Sequence, residues 1–397
     1  MRILHTSDWH AGRTVRGRSR DDELRAVLSE ITGIARDEGV DIVVVPGDTF
    51  DHAAPSAAAE TIVYDALLAL RDAGARVVLV SGNHDSALRL HAVKPLLERL
   101  GVVTGALLQR PGEGGCVNIS VERTGEVARV ALLPWMSQRG IITAQTLMEQ
   151  ETAAQQLKYA ARCASVLAAL CDGMDSSQSV NILASHICLA NAALPDGGDD
   201  RTFASLLGGG ERRAETIFDY WVSPQALPSH LHYAALGHIH RQQQIGAAGC
   251  PAWYCGAPMQ LDFGEKPVGQ GVLLIDAAPG KPASVRPIPL GSGRKMLIVT
   301  GSLAEVRAKI ENGATADAWL RVDLDEVPRP GLAEELRDLS ANIVDIRLIR
   351  EAGAAEGSVA TRPDGPMELF HAYLESRGEV EPAVETLFAE LLSEVAD

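Results

Sequence analysis

The chain has 397 residues, enough for about two to three domains, and its 46% apolar content supplies a sizeable core. A formal charge of −16 argues mildly against a general nucleic-acid coat, but net charge governs solubility and steering rather than the local field at a site. Six cysteines without a C-x-x-C pair exclude a thiolate zinc site, and no apolar run approaches the ~18 residues of a membrane span.

Taken in chain order, the first hundred residues alternate strand and helix. Arg2 to Thr6, Asp41 to Val45 and Arg76 to Val80 read as strands too apolar to have a wet face. Between and after them, Asp21 to Asp37, Ser56 to Asp72 and Ala87 to Leu100 carry apolar residues at helical spacing. Val127 to Leu133, Val180 to Ser185 and Tyr233 to Leu236 are further strands, and Thr152 to Leu170 is an Ala-rich helix. Ala252 to Cys255 and Gly271 to Ile275 read as a closing hairpin region. Strands buried on both faces with helices between them indicate a layered α/β domain.

Pro279, Pro282, Pro287 and Pro289 mark a boundary, which divides the chain into a first domain, 1–284, and a small α/β domain, 285–350. In the latter, Met296 to Val299, Ala318 to Leu324 and Ile343 to Ile349 are strands. Ser302 to Ile310 is a helix opened by a capping box of Ser302 and Glu305, and Gly331 to Leu339 is a second. Residues 351–365 form a Gly-, Ala- and Pro-rich linker, and 366–397 carry two amphipathic helices. That tail holds nine carboxylates against one arginine from Asp364 onward. The cysteines read as free thiols of a soluble, cytoplasmic protein.

Chemistry-bearing side chains cluster where apolar runs end: Asp8-Trp9-His10, Gly47-Asp48, Gly82-Asn83-His84-Asp85, Ser185-His186 and Gly237-His238-Ile239-His240. Any one of them is compatible with a turn or a helix cap. Together they deliver carboxylates, an amide and imidazoles beyond the carboxyl ends of strands, where open α/β folds bind ligands. Mixed nitrogen and oxygen donors without thiolate suit Mn²⁺, Fe²⁺ or Zn²⁺ better than Ca²⁺. Arg13, Arg16, Arg18 and Arg20 follow the first cluster directly and are candidate contacts for DNA phosphates.

The segments ILHTSDWHAG (Ile3 to Gly12), VPGDTFD (Val45 to Asp51), VSGNHDS (Val80 to Ser86), YAALGHIHR (Tyr233 to Arg241) and YCGAP (Tyr254 to Pro258) resemble the calcineurin-like metallophosphoesterase superfamily. Their extended context resembles its branch of DNA-repair nuclease subunits. The resemblance covers residues 1 to 275 by motif and the rest by position and character. Ala11 stands where a larger apolar residue is expected, and Pro195 to Phe218 aligns poorly.

The resemblance implies a sandwich of two mixed β-sheets flanked by helices, with the small domain capping the active site. It implies two divalent ions, Mn²⁺ first among them. One would be held by Asp8, His10, Asp48 and His240, the other by Asp48, Asn83, His186 and His238, with Asp48 bridging. His84 would sit over the scissile phosphate, as proton donor to the leaving oxygen or as a charge stabiliser, and Asp85 would orient it. The implied activity is ATP-stimulated hydrolysis of DNA, as a double-strand exonuclease and a single-strand and hairpin endonuclease. The implied partners are DNA and a coiled-coil ATPase gripped by the tail through Phe370, Leu387, Phe388 and Leu391, with a homodimer inside a heterotetramer and no membrane. The alternative is a small-molecule or nucleotide phosphodiesterase on the same fold, which has no use for a cap domain, a partner helix or an arginine loop.

Overall fold

The computed structural model describes residues 1–136, 159–189, 221–265, 270–313 and 315–349, together with 370, 374, 384, 387 and 388. The chain divides into two compact units, Met1–Leu348 and Ile349–Asp397.

In the first part of the chain the strands are β1 (Arg2–His5), β2 (Thr14–Val15), β3 (Arg18–Ser19), β4 (Ile42–Pro46), β5 (Arg76–Val80), β6 (Val102–Gly105), β7 (Cys116–Val121) and β8 (Glu126–Leu133). There follow β9 (Val180–His186), β10 (Cys188–Leu189), β11 (Trp221–Val222), β12 (Tyr233–Gly237), β13 (Gln243–Gln244), β14 (Ala252–Tyr254), β15 (Gly271–Ala278) and β16 (Lys281–Pro289). The last three are β17 (Lys295–Gly301), β18 (Ala318–Leu324) and β19 (Ile343–Leu348). The helices are α1 (Asp21–Asp37), α2 (Ala57–Asp72), α3 (Ala87–Arg99), α4 (Tyr159–Cys171), α5 (Leu303–Glu311) and α6 (Leu332–Leu339).

Two six-stranded sheets form the large body, in the orders β16-β15-β1-β4-β5-β6 and β13-β14-β12-β9-β8-β7. Both are mixed. β1, β4, β5 and β6 run parallel, with β15 antiparallel to β1. β8, β9, β12 and β14 run parallel, with β7 antiparallel to β8.

The period of two in each strand sorts its residues into layers. Ile3, Ile42, Val44, Val78 and Val80 of the first sheet meet Val130, Ile182, Ala184 and Ala235 of the second in one apolar seam. Their neighbours Leu4, Val43, Val45, Val77 and Leu79 face outward onto the buried stripes of α1 and α2, including Leu24, Val27, Ile31, Ile62 and Leu67. Leu183, Leu236 and Ala234 likewise pack on Val166, Leu167 and Leu170 of α4. The result is a sandwich of two sheets with helices outside. Truncating one seam residue, such as Ile182→Ala, would cost about 2–5 kcal/mol by leaving a cavity between sheets.

Two features differ from the sequence reading. Ala252–Tyr254 and Gly271–Ala278 do not pair with each other: β14 lies parallel to β12 in the second sheet, whereas β15 lies between β1 and β16 in the first. The boundary expected after residue 284 falls inside β16, whose prolines do not end the domain. Pro282, Pro287 and Pro289 sit on an edge strand, where a missing N–H removes no ladder bond that the sheet needs.

β17, β18 and β19 form a separate parallel three-stranded sheet. One of its faces is covered by α5 and α6 through Val306, Leu332 and Leu336. α5 opens with the expected capping box, Ser302 accepting from the Glu305 amide and Glu305 from the Ser302 amide. The other face packs Met296 and Trp319 on Val15 and Phe263 of the large body.

In the second unit, residues 370, 374, 384, 387 and 388 are helical, and the Phe370 and Phe388 rings stack with centroids 4.0 Å apart. Leu374 is buried while Val384 and Leu387 are exposed. Leu391, the 351–365 linker and the Pro195–Phe218 segment lie outside the described residues. Among those that are described, no helix is long and apolar enough to cross a membrane.

Candidate metal centre

All five sequence clusters meet at one end of the seam. Asp8 and His10 follow β1, Asp48 follows β4, and Asn83 and His84 follow β5. His186 ends β9, and His238 and His240 follow β12. Ligand atoms of Asp8, His10 and His240 lie within 4.8 Å of one another, as do those of Asp48, His186 and His238. A third set of the same spread joins His10, Asp48 and His84. Asn83 belongs with the second, its Oδ1 lying 2.8 Å from His186 Nε2 and 3.0 Å from His238 Nδ1.

The local backbone is built for this convergence. Asp8, His10, Asp48 and His238 all have positive φ, at 55°, 47°, 51° and 99°. Non-glycine residues adopt that region rarely and at a cost, and such strain concentrates at functional sites. The loops are laced together: Asp8 N donates to Gly47 O (3.1 Å), His10 N to Asp48 O (3.0 Å), and His238 N to Asp8 Oδ1 (2.9 Å). Glycine is required where two loops touch. A Cβ on Gly82 would run into the Asp48 carboxylate, and one on Gly237 into the Pro46 carbonyl.

Three of the imidazoles are held from behind. His10 Nδ1 faces Asp51 Oδ1 at 3.1 Å, His240 Nδ1 faces Glu265 Oε1 at 3.1 Å, and His186 Nδ1 faces the Pro46 carbonyl at 2.8 Å. An acceptor behind Nδ1 puts the proton there and turns the Nε2 lone pair into the cluster. His10 Nε2 and His240 Nε2 then face each other at 3.2 Å, and His186 Nε2 faces Asn83 Oδ1. Lone pairs opposed in this way call for a cation between them, so the donor set fits divalent metal ions.

The charges agree. Burial pulls His186 down, but the Asp48 carboxylate beside it prevails and raises it to about 9. Burial opposes ionisation of Asp48 too, yet the neighbouring imidazoles hold that carboxyl well below its usual range. Burial also pulls His240 down, and the Glu265 hydrogen bond outweighs it and raises the group. Burial pushes Asp51 up, while His10 and Arg13 outweigh it and lower the group to about 2.

Three sequence expectations need correction or completion. Asp85 does not orient His84. Its carboxylate, raised by burial and by Asp48, accepts from the amides of Gly82 (2.8 Å) and Phe50 (3.0 Å) and from Thr49 Oγ1 (2.9 Å). It ties two ligand loops together, and His84 Nδ1 donates instead to the Asp51 carbonyl at 2.8 Å.

The arginine cluster does not act as one group. Arg20 is 1% exposed, bound to Glu23 (2.8 Å) and to the Gln260 carbonyl, and cannot face a phosphate. Arg13 pairs with Asp51 at 2.9 Å, and Arg16 with Asp345 of the small sheet at 2.9 Å. Arg18 is exposed, 6.0 Å from the Trp319 ring centre.

Asp51, Glu265 and Trp135 were missed. The Trp135 ring lies 5.0 Å from His238 and 6.0 Å from His186. Asp51 stands inside a quoted motif, but neither carboxylate has a spacing that signals its partner. All six cysteines are free, and Cys255 donates to the His5 carbonyl at 2.9 Å.

Comparison with known proteins shows the family. The calcineurin-like phosphoesterase family matches residues 1–132, and the family described as the type 5 capsule protein repressor C-terminal domain matches residues 292–377. Such a phosphoesterase fold implies divalent metal ions, which the donor set suits. The SbcD subunit of the nuclease SbcCD from Bacillus subtilis is 32% identical over 88% of this chain and 86% of its own. That of Rhodobacter capsulatus is 34% identical over 80% of this chain and 77% of its own. That of Escherichia coli K12 is 28% identical over 82% and 78%. With its calcineurin-like first domain, its matching C-terminal domain and this identity along most of its length, the chain belongs to the SbcD family of SbcCD nuclease subunits.

Proposed function

We propose that this chain is the nuclease subunit of an SbcCD-type complex, a cytoplasmic phosphodiester hydrolase acting on DNA in recombination, repair and replication. The observation that carries the reading is the convergence of Asp8, His10, Asp48, Asn83, His186, His238 and His240 on one strand-end cleft, in a member of this family. When bound, two divalent ions, Mn²⁺ first among them, supply charge neutralisation at the phosphodiester and a nucleophile at neutral pH. Asp48, with imidazoles of both sets beside it, would help hold both ions.

His84 is the proton donor. Its Nδ1 is committed to the Asp51 carbonyl, which can only accept, so Nε2 is the nitrogen that delivers a proton to the leaving oxygen. Trp135 shields the His186–His238 side from water. The small domain caps the cleft and helps select DNA shape, and exposed Arg18 holds a flanking phosphate. The substrates are double-stranded ends for exonuclease action and single strands and hairpins for endonuclease action.

Access is stimulated by ATP through an SbcC-type coiled-coil ATPase, gripped by the C-terminal helices. Exposed Val384 and Leu387 are the supporting observation. A homodimer inside the heterotetramer is supported by Leu88, Leu96 and Leu100, which leave an apolar stripe on and just after α3 exposed.

The test is hydrolysis of a labelled DNA hairpin and of bis-p-nitrophenyl phosphate, with Mn²⁺ and with chelator, by the chain alone and with an SbcC-type ATPase. DNA cutting that needs Mn²⁺ and rises with ATPase and ATP is expected. Ester hydrolysis without DNA cutting under any condition would move the function to a small-molecule phosphodiesterase.

A further inference from the structure

His240 lies beyond the end of β12, and a turn far along the chain fixes its ring. Glu265 Oε1 faces His240 Nδ1 at 3.1 Å, and the other oxygen of that carboxylate accepts from the Leu261 amide at 2.8 Å. The Gln260 side chain closes the turn, its Nε2 donating to the Glu265 carbonyl at 2.8 Å and lying 3.3 Å from the Asp262 carbonyl. The same amide reaches into the small domain. Its Oε1 accepts from the Met296 amide at 2.8 Å, and its Nε2 lies 3.1 Å from the Met296 carbonyl.

Met296 stands on β17, an edge strand of the three-stranded sheet. Gln260 therefore pairs with that edge as the backbone of a neighbouring strand would. Gln260 is 3% and Met296 2% exposed, so water does not compete for these bonds. Arg20 clamps the junction from the other side, donating to the Gln260 carbonyl and to the Arg294 carbonyl next to β17. An unbroken chain of hydrogen bonds thus runs from the first strand of the small domain to one imidazole of the cluster. A side chain that only fastened two domains together would not also need to hold the turn that orients His240.

We infer that Gln260 and Glu265 are positioning residues that couple the place of the small domain to divalent-cation affinity at the Asp8–His10–His240 set. The inference rests on reading that set as half of a metal centre. Displacement of β17, by whatever binds the small domain, pulls on Gln260, shifts the 260–265 turn and rotates the His240 ring away from its ligand position. The Asp48–His186–His238 set has no such connection through Glu265, so the two ions respond unequally.

The probe is Mn²⁺ itself, titrated into the full-length chain by calorimetry and followed by its electron paramagnetic resonance spectrum, with no nucleic acid present. Wild type is expected to take up two ions. Glu265→Ala should weaken one site by about 10–100-fold and leave the other unchanged. Glu265→Gln, which keeps an oxygen for the imidazole, should recover part of the loss. Gln260→Met keeps the side-chain volume, removes the amide, and should weaken the same site. Added to Glu265→Ala it should cause no further loss there, because the path runs through Glu265. If Gln260→Met does not fold, Gln260→Asn makes the same comparison with a shorter amide.

Lowered thermal stability with both affinities at wild-type values in a folded Gln260 variant would overturn the coupling, as would additive losses in the double variant. A wild-type chain that binds no divalent ion would instead overturn the metal-centre reading on which the coupling rests.

Discussion

The Asp51 Oδ1 atom accepts at once from His10 Nδ1, at 3.1 Å, and from Arg13 Nη1, at 2.9 Å. One buried oxygen thereby fixes a ligand's tautomer and balances its own charge against a guanidinium. Asp51→Ala is expected to lower Mn²⁺ affinity or turnover by about 10–100-fold, the usual weight of a carboxylate behind a metal-ligating histidine. Mn²⁺ titration of the folded variant decides it: unchanged affinity and rate would remove Asp51 from the centre.

His84 lies within ligand distance of His10 and Asp48, yet its proposed part is proton transfer. His84→Ala should retain two bound Mn²⁺ and lose about 10²–10⁴-fold in turnover on DNA. Loss of one ion in the variant would make His84 a ligand and leave the proton donor to be found elsewhere.

The four arginines after β1 separate by partner. Arg20→Met leaves Glu23 without its cation, held only by the Trp319 indole and the Arg294 amide, and should destabilise the chain by about 1–3 kcal/mol. Arg18→Ala should leave stability unchanged and reduce the salt dependence of DNA binding by about one phosphate contact. Urea unfolding of the first and a salt titration of DNA affinity for the second check both. An Arg18→Ala slope equal to wild type would exclude that side chain from the DNA contact.

His5 lies buried in the seam, its Nδ1 2.9 Å from the Tyr233 hydroxyl, and burial lowers it from 6.5 to about 3. The native imidazole stays neutral while the unfolded chain takes up a proton below 6.5. The contribution of this group is complete above that pH and is lost as pH falls towards 3. Wild type should lose up to about 1.4 kcal/mol per pH unit there relative to His5→Gln. Urea midpoints for both chains in chelator, across the mildly acidic range, measure the difference. Parallel curves would mean that His5 is protonated in the native state.

The candidate metal ligands were legible because each ends or follows a strand apolar enough to be recognised, and strand ends in a parallel sheet share an edge. Their supports were not. Glu265 meets His240 through a turn whose shape depends on Gln260 and Met296, and no periodicity links those positions. The arginine run was visible as charge, but Arg16 finds Asp345 only because the small sheet folds back over the hairpin of β2 and β3. β7 escaped because its exposed and buried residues alternate without a strong apolar signal, and β16 because its prolines mimic a linker.

The seven candidate ligands come from two sheets. Asp8, His10, Asp48 and Asn83 belong to the first, while His186, His238 and His240 belong to the second. Asn83 and His238 touch at 3.0 Å across 155 residues of chain, a stretch that a ribosome needs roughly 10–30 s to add. Through most of that interval the nascent chain carries the donors of the first sheet alone, and even once His186 is added neither set is complete without His238 and His240. A chain that stalls or is cut before β12 has neither His238 nor His240, so each candidate set is left without a donor and a truncated copy is expected to bind no pair of ions.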